Sequence, residues 1–230
     1  MKTGLRGALA ALALGASAGA AHAAAGDDIL KNQCAACHAL SRQDAGPEAM
    51  LQRKGPPLYY AGAKFKREWL AAWLQEPAPI RPGGAMVALV VKANPGGADT
   101  VDATKLAPHE KLSAGDAASV ATALMALGAG DGLVPAGVFK GEPVNSMAAL
   151  LFNKLRGCAS CHSLKPGSGG VSGPELATAG DRLQADYVVA YMRDPQKFDP
   201  HVWMPRLDLN DGDVQKLAGY LMAQKQGAQK

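Results

Sequence analysis

All four cysteines of this chain fall in two five-residue motifs, Cys34-Ala35-Ala36-Cys37-His38 and Cys158-Ala159-Ser160-Cys161-His162. That placement constrains the fold more than any other feature. Residues three apart on a helical turn share a face, so each motif presents two thiols side by side with an imidazole next to them. Cys-x-x-Cys-His is the attachment pattern of c-type haem: the thiols form thioethers to the porphyrin vinyl groups and the histidine offers a nitrogen to the iron. Three other uses fit less well. A redox-active Cys-x-x-Cys does not require histidine at the next position in both copies. A shared zinc site would join motifs about 120 residues apart and leave both histidines without a role. Ordinary disulfides suit an exported chain but do not account for the repeated spacing.

Residues 1–23 read as a secretory signal peptide. Lys2 and Arg6 form a positive start, Ala8 to Ala20 is an apolar stretch, and Ala21-His22-Ala23 is a small-x-small cleavage site. The apolar run is shorter than the roughly 20 residues that span a bilayer, and no later stretch is longer, so the mature chain is expected in the periplasm with no transmembrane segment. Loss of Lys2 and Arg6 takes the formal net charge from +4 to +2, shared evenly by residues 24–128 and 129–230. A balance that modest excludes a nucleic-acid partner recognised through bulk charge.

Two copies of one motif prompt a search for duplication. Gly55 to Met86 aligns without a gap to Gly173 to Met204, and about nine of the 32 pairs are identical. Gly55-Pro56-Pro57-Leu58 matches Gly173-Pro174-Glu175-Leu176, Gly62 matches Gly180, Trp69 and Trp73 match Tyr187 and Tyr191, and Pro77 and Pro82 match Pro195 and Pro200. From the methionine to the start of the next helical pattern the first copy is longer by about 21 residues, an extension spanning roughly 87–111.

Helical patterns are predicted at Ala25–Ala36, Lys66–Gln75, Ser113–Leu127, Ser146–Ser160, Gln184–Arg193 and Gly212–Gln224, with Met86–Lys92 the one candidate strand. Residues 129–145, rich in Gly and Pro, read as a linker. The predicted organisation is a signal peptide (1–23), a first domain (24–128), the linker and a second domain (146–230).

With its two attachment motifs, each followed by Gly-Pro-x-Leu, a middle helix, a methionine and a C-terminal helix, the chain resembles the small soluble class I cytochromes c in a two-domain, dihaem arrangement. The resemblance implies an all-α fold of two tandem cytochrome c-like domains, each a few helices around one covalent haem c. It implies thioethers at Cys34, Cys37, Cys158 and Cys161 and proximal ligands at His38 and His162. Pro56 and Pro174 then take the place of the proline whose carbonyl accepts a hydrogen bond from the proximal imidazole, and Met86 and Met204 that of the distal ligands. Met204 sits in Trp203-Met204-Pro205, similar to the family's ligand loop, whereas Met86 is followed by Val87. His109, within the extension, is an alternative ligand for the first iron; His201 reads as a loop or haem-edge residue, and Met125 and Met222 as core packing. A porphyrin supplies a large apolar surface to each core, which suits an aromatic content of 5%.

The function this implies is transfer of single electrons between periplasmic redox partners, as a soluble shuttle or as the haem subunit of a respiratory or dehydrogenase complex, with no catalytic residue of its own. The partners are redox proteins, such as a dehydrogenase or oxidase. The alternative is a dihaem enzyme, a peroxidase or sulfur-compound dehydrogenase, using a labile or unusual distal ligand at the first haem, where the extension supplies Lys92, Lys105 and His109.

Overall fold

The computed structural model describes residues 24–42, 46–128, 130–165 and 167–226. The expected signal peptide, 1–23, lies outside them. Helix α1 (24–32) leads into a 3₁₀ turn at Cys34–Ala36; α2 (Pro47–Leu51), α3 (Ala61–Lys64), α4 (Arg67–Trp73) and α5 (Ala114–Ala126) complete the first half. The second half holds α6 (Ser146–Leu150), a 3₁₀ turn at Cys158–Ser160, α7 (Ala179–Arg182), α8 (Ala185–Arg193), α9 (Pro195–Phe198) and α10 (Asp211–Met222). Among the described residues the fold is helical but for one short hairpin.

Local chemistry sets the helix ends. The Ser113 hydroxyl accepts a hydrogen bond from the Asp116 amide at the start of α5, and Asn145 and Asn210 cap α6 and α10 in the same way. Pro77 and Pro195 follow α4 and α8, where a missing N–H and ring sterics prevent continuation.

Two sequence expectations require correction. Ser146–Ser160 is not one helix: after α6 the backbone widens at Leu151–Leu155, where the Arg156 amide reaches the Leu151 carbonyl at 2.9 Å. Gly157, at φ 69°, then breaks the helix before the second attachment motif, a left-handed conformation that glycine adopts without a Cβ penalty. Nor is Met86–Lys92 a strand. Gly84–Leu89 is a 3₁₀ helix, and only Val91–Lys92 (β1) pairs, antiparallel, with Thr100–Val101 (β2). The Asn94-Pro95-Gly96-Gly97 turn, closed by the Gly97 amide on the Asn94 carbonyl, determines where pairing can begin.

Leu30 of α1, Leu70 and Leu74 near α4, and Val120 and Leu124 of α5 form one apolar cluster. Phe152, Val189, Phe198, Val214 and Leu217 centre the other, and Tyr60 from the first half is buried in it. Met125 packs on the first cluster and Met222 on the second. Residues 137–140 lie along the second half: the Gly137 and Phe139 amides donate to Asp186, and the Lys140 amide to Gln215.

The halves meet through reciprocal contacts in the register that aligns Gly55 with Gly173. Phe65 bridges its own counterpart, Leu183. The Lys66 amide donates to the Arg182 carbonyl and the Gln184 amide to the Lys64 carbonyl, both at 2.9 Å. Lys66 Nζ reaches the Gly180 carbonyl, while Gln184 Nε2 reaches that of Gly62. Arg81 binds the Val171 carbonyl, and Asp199 pairs with Arg53, the same two positions with the sides exchanged. Such exchange is the signature of an isologous contact.

Gly62 and Gly180 permit the close approach of each half's C-terminal helix: a Cβ would stand 2.2 Å from the Met125 carbonyl oxygen or 2.1 Å from that of Met222. Gly180→Ala should lower stability by about 1–3 kcal/mol, the usual cost of overpacking, as read by chemical denaturation. Burial also pushes the phenols of Tyr60, Tyr187 and Tyr191 above their ordinary value of 10. The neutral phenol is therefore favoured in the folded chain. Its contribution is complete below pH 10 and is lost as pH rises from there through the folded values. Stability measured at pH 11 should be below that at pH 9, and Tyr60→Phe should flatten the difference.

Candidate functional site

Each Cys-x-x-Cys-His motif forms the same turn. The Cys37 and His38 amides donate to the Cys34 carbonyl at 3.0 and 2.9 Å, and the Cys161 and His162 amides to the Cys158 carbonyl at 3.2 and 3.0 Å. In both motifs the first cysteine is half-buried and the second exposed, and no disulfide joins any of the four. Burial, with a smaller contribution from Cys37, raises the Cys34 thiol; burial raises Cys158 likewise.

The histidines are fixed by the segments expected from sequence. His38 Nδ1 lies 2.7 Å from the Pro56 carbonyl oxygen and His162 Nδ1 2.8 Å from that of Pro174. A carbonyl oxygen only accepts, so Nδ1 carries the proton and Nε2 keeps its lone pair. Burial lowers the affinity of both rings for a second proton. The hydrogen bonds to Pro56 and Pro174 act in the opposite sense, while His109 and Lys64 beside His38, and Arg81 beside His162, add to the depression.

Gly55 and Gly173, which match in the repeat, have a role that only the structure shows. A Cβ on Gly55 would fall 2.5 Å from His38 Cε1, and one on Gly173 2.7 Å from His162 Cε1. Only glycine lets the chain press against the imidazole while the next residue, proline, receives its hydrogen bond. The donor set therefore fits a covalent haem at each turn: two thiols for thioethers and one imidazole with a free Nε2 for iron.

The expected distal residues have different surroundings. Met204 packs against the second cluster, and its carbonyl accepts from Gln196 Nε2 at 2.8 Å. Met86 lies in the 3₁₀ helix Gly84–Leu89, whose start is tied to the second half by the Gly84 amide on the Ser172 carbonyl at 3.0 Å. His109 is brought to the first site: its ring centre is 6.2 Å from that of His38 and 4.6 Å from that of Trp73. His201 occupies a loop, its amide 3.2 Å from the Asp199 carboxylate. Arg81 escaped the sequence reading. It is buried against the second motif, with Nη2 2.9 Å from the Ser163 hydroxyl, and its only sequence mark was an Arg opposite Asp199 in the repeat alignment.

Residues 146–221, from the first residue of α6 through the second motif and Met204 nearly to the end of α10, match the family model described as cytochrome C oxidase, cbb3-type, subunit III. No curated protein and no solved structure matches the chain. The match supports a c-type cytochrome with covalently bound haem and a haem-based electron-transfer function.

Gly173→Ala should displace the His162 imidazole. The purified variant should carry less low-spin haem, read by visible and electron paramagnetic resonance spectra, while Gly115→Ala, at an open position in α5, should leave them unchanged.

Proposed function

We propose that the chain is a dihaem cytochrome of two tandem cytochrome c-like domains, exported to the periplasm, that passes single electrons between protein partners. The observation that carries this reading is the pairing of each Cys-x-x-Cys-His turn with a histidine whose Nδ1 is held by a proline carbonyl. A bound haem supplies one-electron iron chemistry, and the protein sets its potential through axial ligands, burial and hydrogen bonds. Cys34, Cys37 and His38 would hold one haem and Cys158, Cys161 and His162 the other. Were a second side chain of this chain to ligate each iron beside His38 and His162, the iron would be left to exchange electrons rather than bind a substrate.

Among the described residues no helix is long and apolar enough to cross a membrane. Transient docking suits a small interface near an exposed haem edge, and the exposed Cys37 and Cys161 indicate where such edges would reach the surface. The same surface would serve a free shuttle or a subunit docked to a dehydrogenase or oxidase.

The haem content of the periplasmic protein tests this directly. The wild type should contain two covalent haems per chain and begin at Ala24, while Cys34→Ser/Cys37→Ser and Cys158→Ser/Cys161→Ser should each retain one, by pyridine haemochrome assay and intact mass. A wild type with a single haem would refute the dihaem assignment.

A further inference from the structure

We propose that His109, not Met86, is the second axial ligand of the iron held at His38, so that the first centre is bis-histidine and the second histidine–methionine. This rests on the reading of Cys34-x-x-Cys37-His38 as a haem site. Three observations carry it.

The first is spacing. An imidazole nitrogen sits about 2 Å from a bound first-row metal, and the ring centre lies about 1 Å farther on, so two imidazoles on opposite sides of one metal have centres roughly 6 Å apart. The His38 and His109 rings are 6.2 Å apart. Two rings that share one ligand axis can stand at any angle about it, so the interplanar angle of 46° is compatible with joint ligation.

The second is the state of the ring. His109 Nδ1 lies 2.9 Å from the Glu110 carbonyl oxygen. This bond fixes the tautomer as the Pro56 carbonyl does for His38: Nδ1 protonated, Nε2 available. A ligating histidine almost always donates its other ring N–H in this manner. The two imidazoles that meet at the first motif thus carry matching, metal-ready tautomers.

The third is how the extension is anchored. Its start leads away: Arg81 binds Ser163 and Val171, the Gly84 amide binds Ser172, and a Cβ on Gly83 would fall 2.6 Å from Pro174 Cδ. The start of the turn that holds Met86 is therefore tied to the second half, and the turn itself packs on α2. The β1–β2 hairpin then reverses the chain, and the Leu112 amide bonds the Leu74 carbonyl at 2.9 Å, docking the end of the extension on α4. Trp73, in the last turn of α4, packs on the His109 ring. The Lys111–Glu76 ion pair nearby is exposed on both sides and adds little. The backbone bond and the indole contact hold His109 in place. Because methionine ligation raises a haem potential relative to histidine, the first centre would lie below the second.

The test uses the full-length, haem-loaded protein with Met86→Leu, His109→Gly and Met204→Leu, and haem content is measured on every sample. The oxidised wild type should show one bis-histidine and one histidine–methionine low-spin signal by electron paramagnetic resonance. Met86→Leu should leave the iron–thioether charge-transfer band and both potentials unchanged, and Met204→Leu should abolish that band. His109→Gly should turn one haem high-spin and open it to carbon monoxide, and added imidazole should restore the low-spin spectrum, a rescue that a merely structural histidine would not show. Loss of half the thioether band in Met86→Leu, or two low-spin haems in His109→Gly without imidazole, would overturn the assignment. A wild type with one haem would instead count against the dihaem reading itself.

Discussion

The hydrogen bond from each motif histidine to a proline carbonyl organises the structure. It joins the attachment turn to a segment 18 residues on in the first half and 12 in the second. It also decides which ring nitrogen keeps a lone pair. Such a bond adds only about 1 kcal/mol to stability, so its importance lies in orientation rather than in holding the fold. Glycine before the proline makes the bond possible, because any side chain there would occupy the space of the imidazole.

Around those two bonds the halves close on each other by repeated, mutually exchanged contacts. Backbone bonds between Lys66 and Arg182 and between Gln184 and Lys64 flank the Phe65–Leu183 bridge. These polar contacts set register. The buried stack of Tyr60 on Tyr187, with Phe198 against both, supplies the apolar area. The aromatics are few but grouped. A second run, Phe65–Trp69–Trp73, leads from the contact between the halves to His109, with ring centres 5.5 and 5.6 Å apart. The scarcity of aromatic residues therefore does not mean that they are absent from the cores.

The exchange symmetry stops at the extension. Where the second half passes from Met204 to α10 directly, the first inserts a hairpin that brings His109 beside His38. A duplicated scaffold with one added loop thus carries two Cys-x-x-Cys-His turns whose histidines are held alike and whose surroundings differ.

The Cys-x-x-Cys-His turns and the helices α1, α4, α5, α8 and α10 were legible in the sequence, because each depends on residues close together, whereas the proline partners were implied by the resemblance to class I cytochromes c. The break at Gly157 and the short strand at Val91 were misjudged, because periodicity cannot see a left-handed glycine or a turn that consumes the residues beside it. The sequence by itself determined which atoms stand ready at each site: two thiols, one imidazole and the carbonyl that orients it. Only the tertiary structure decided which residue faces His38, since that depends on where a hairpin folds back and on a backbone bond from Leu112 to Leu74. The spacing of residues along the chain carries no record of contacts made by such a return.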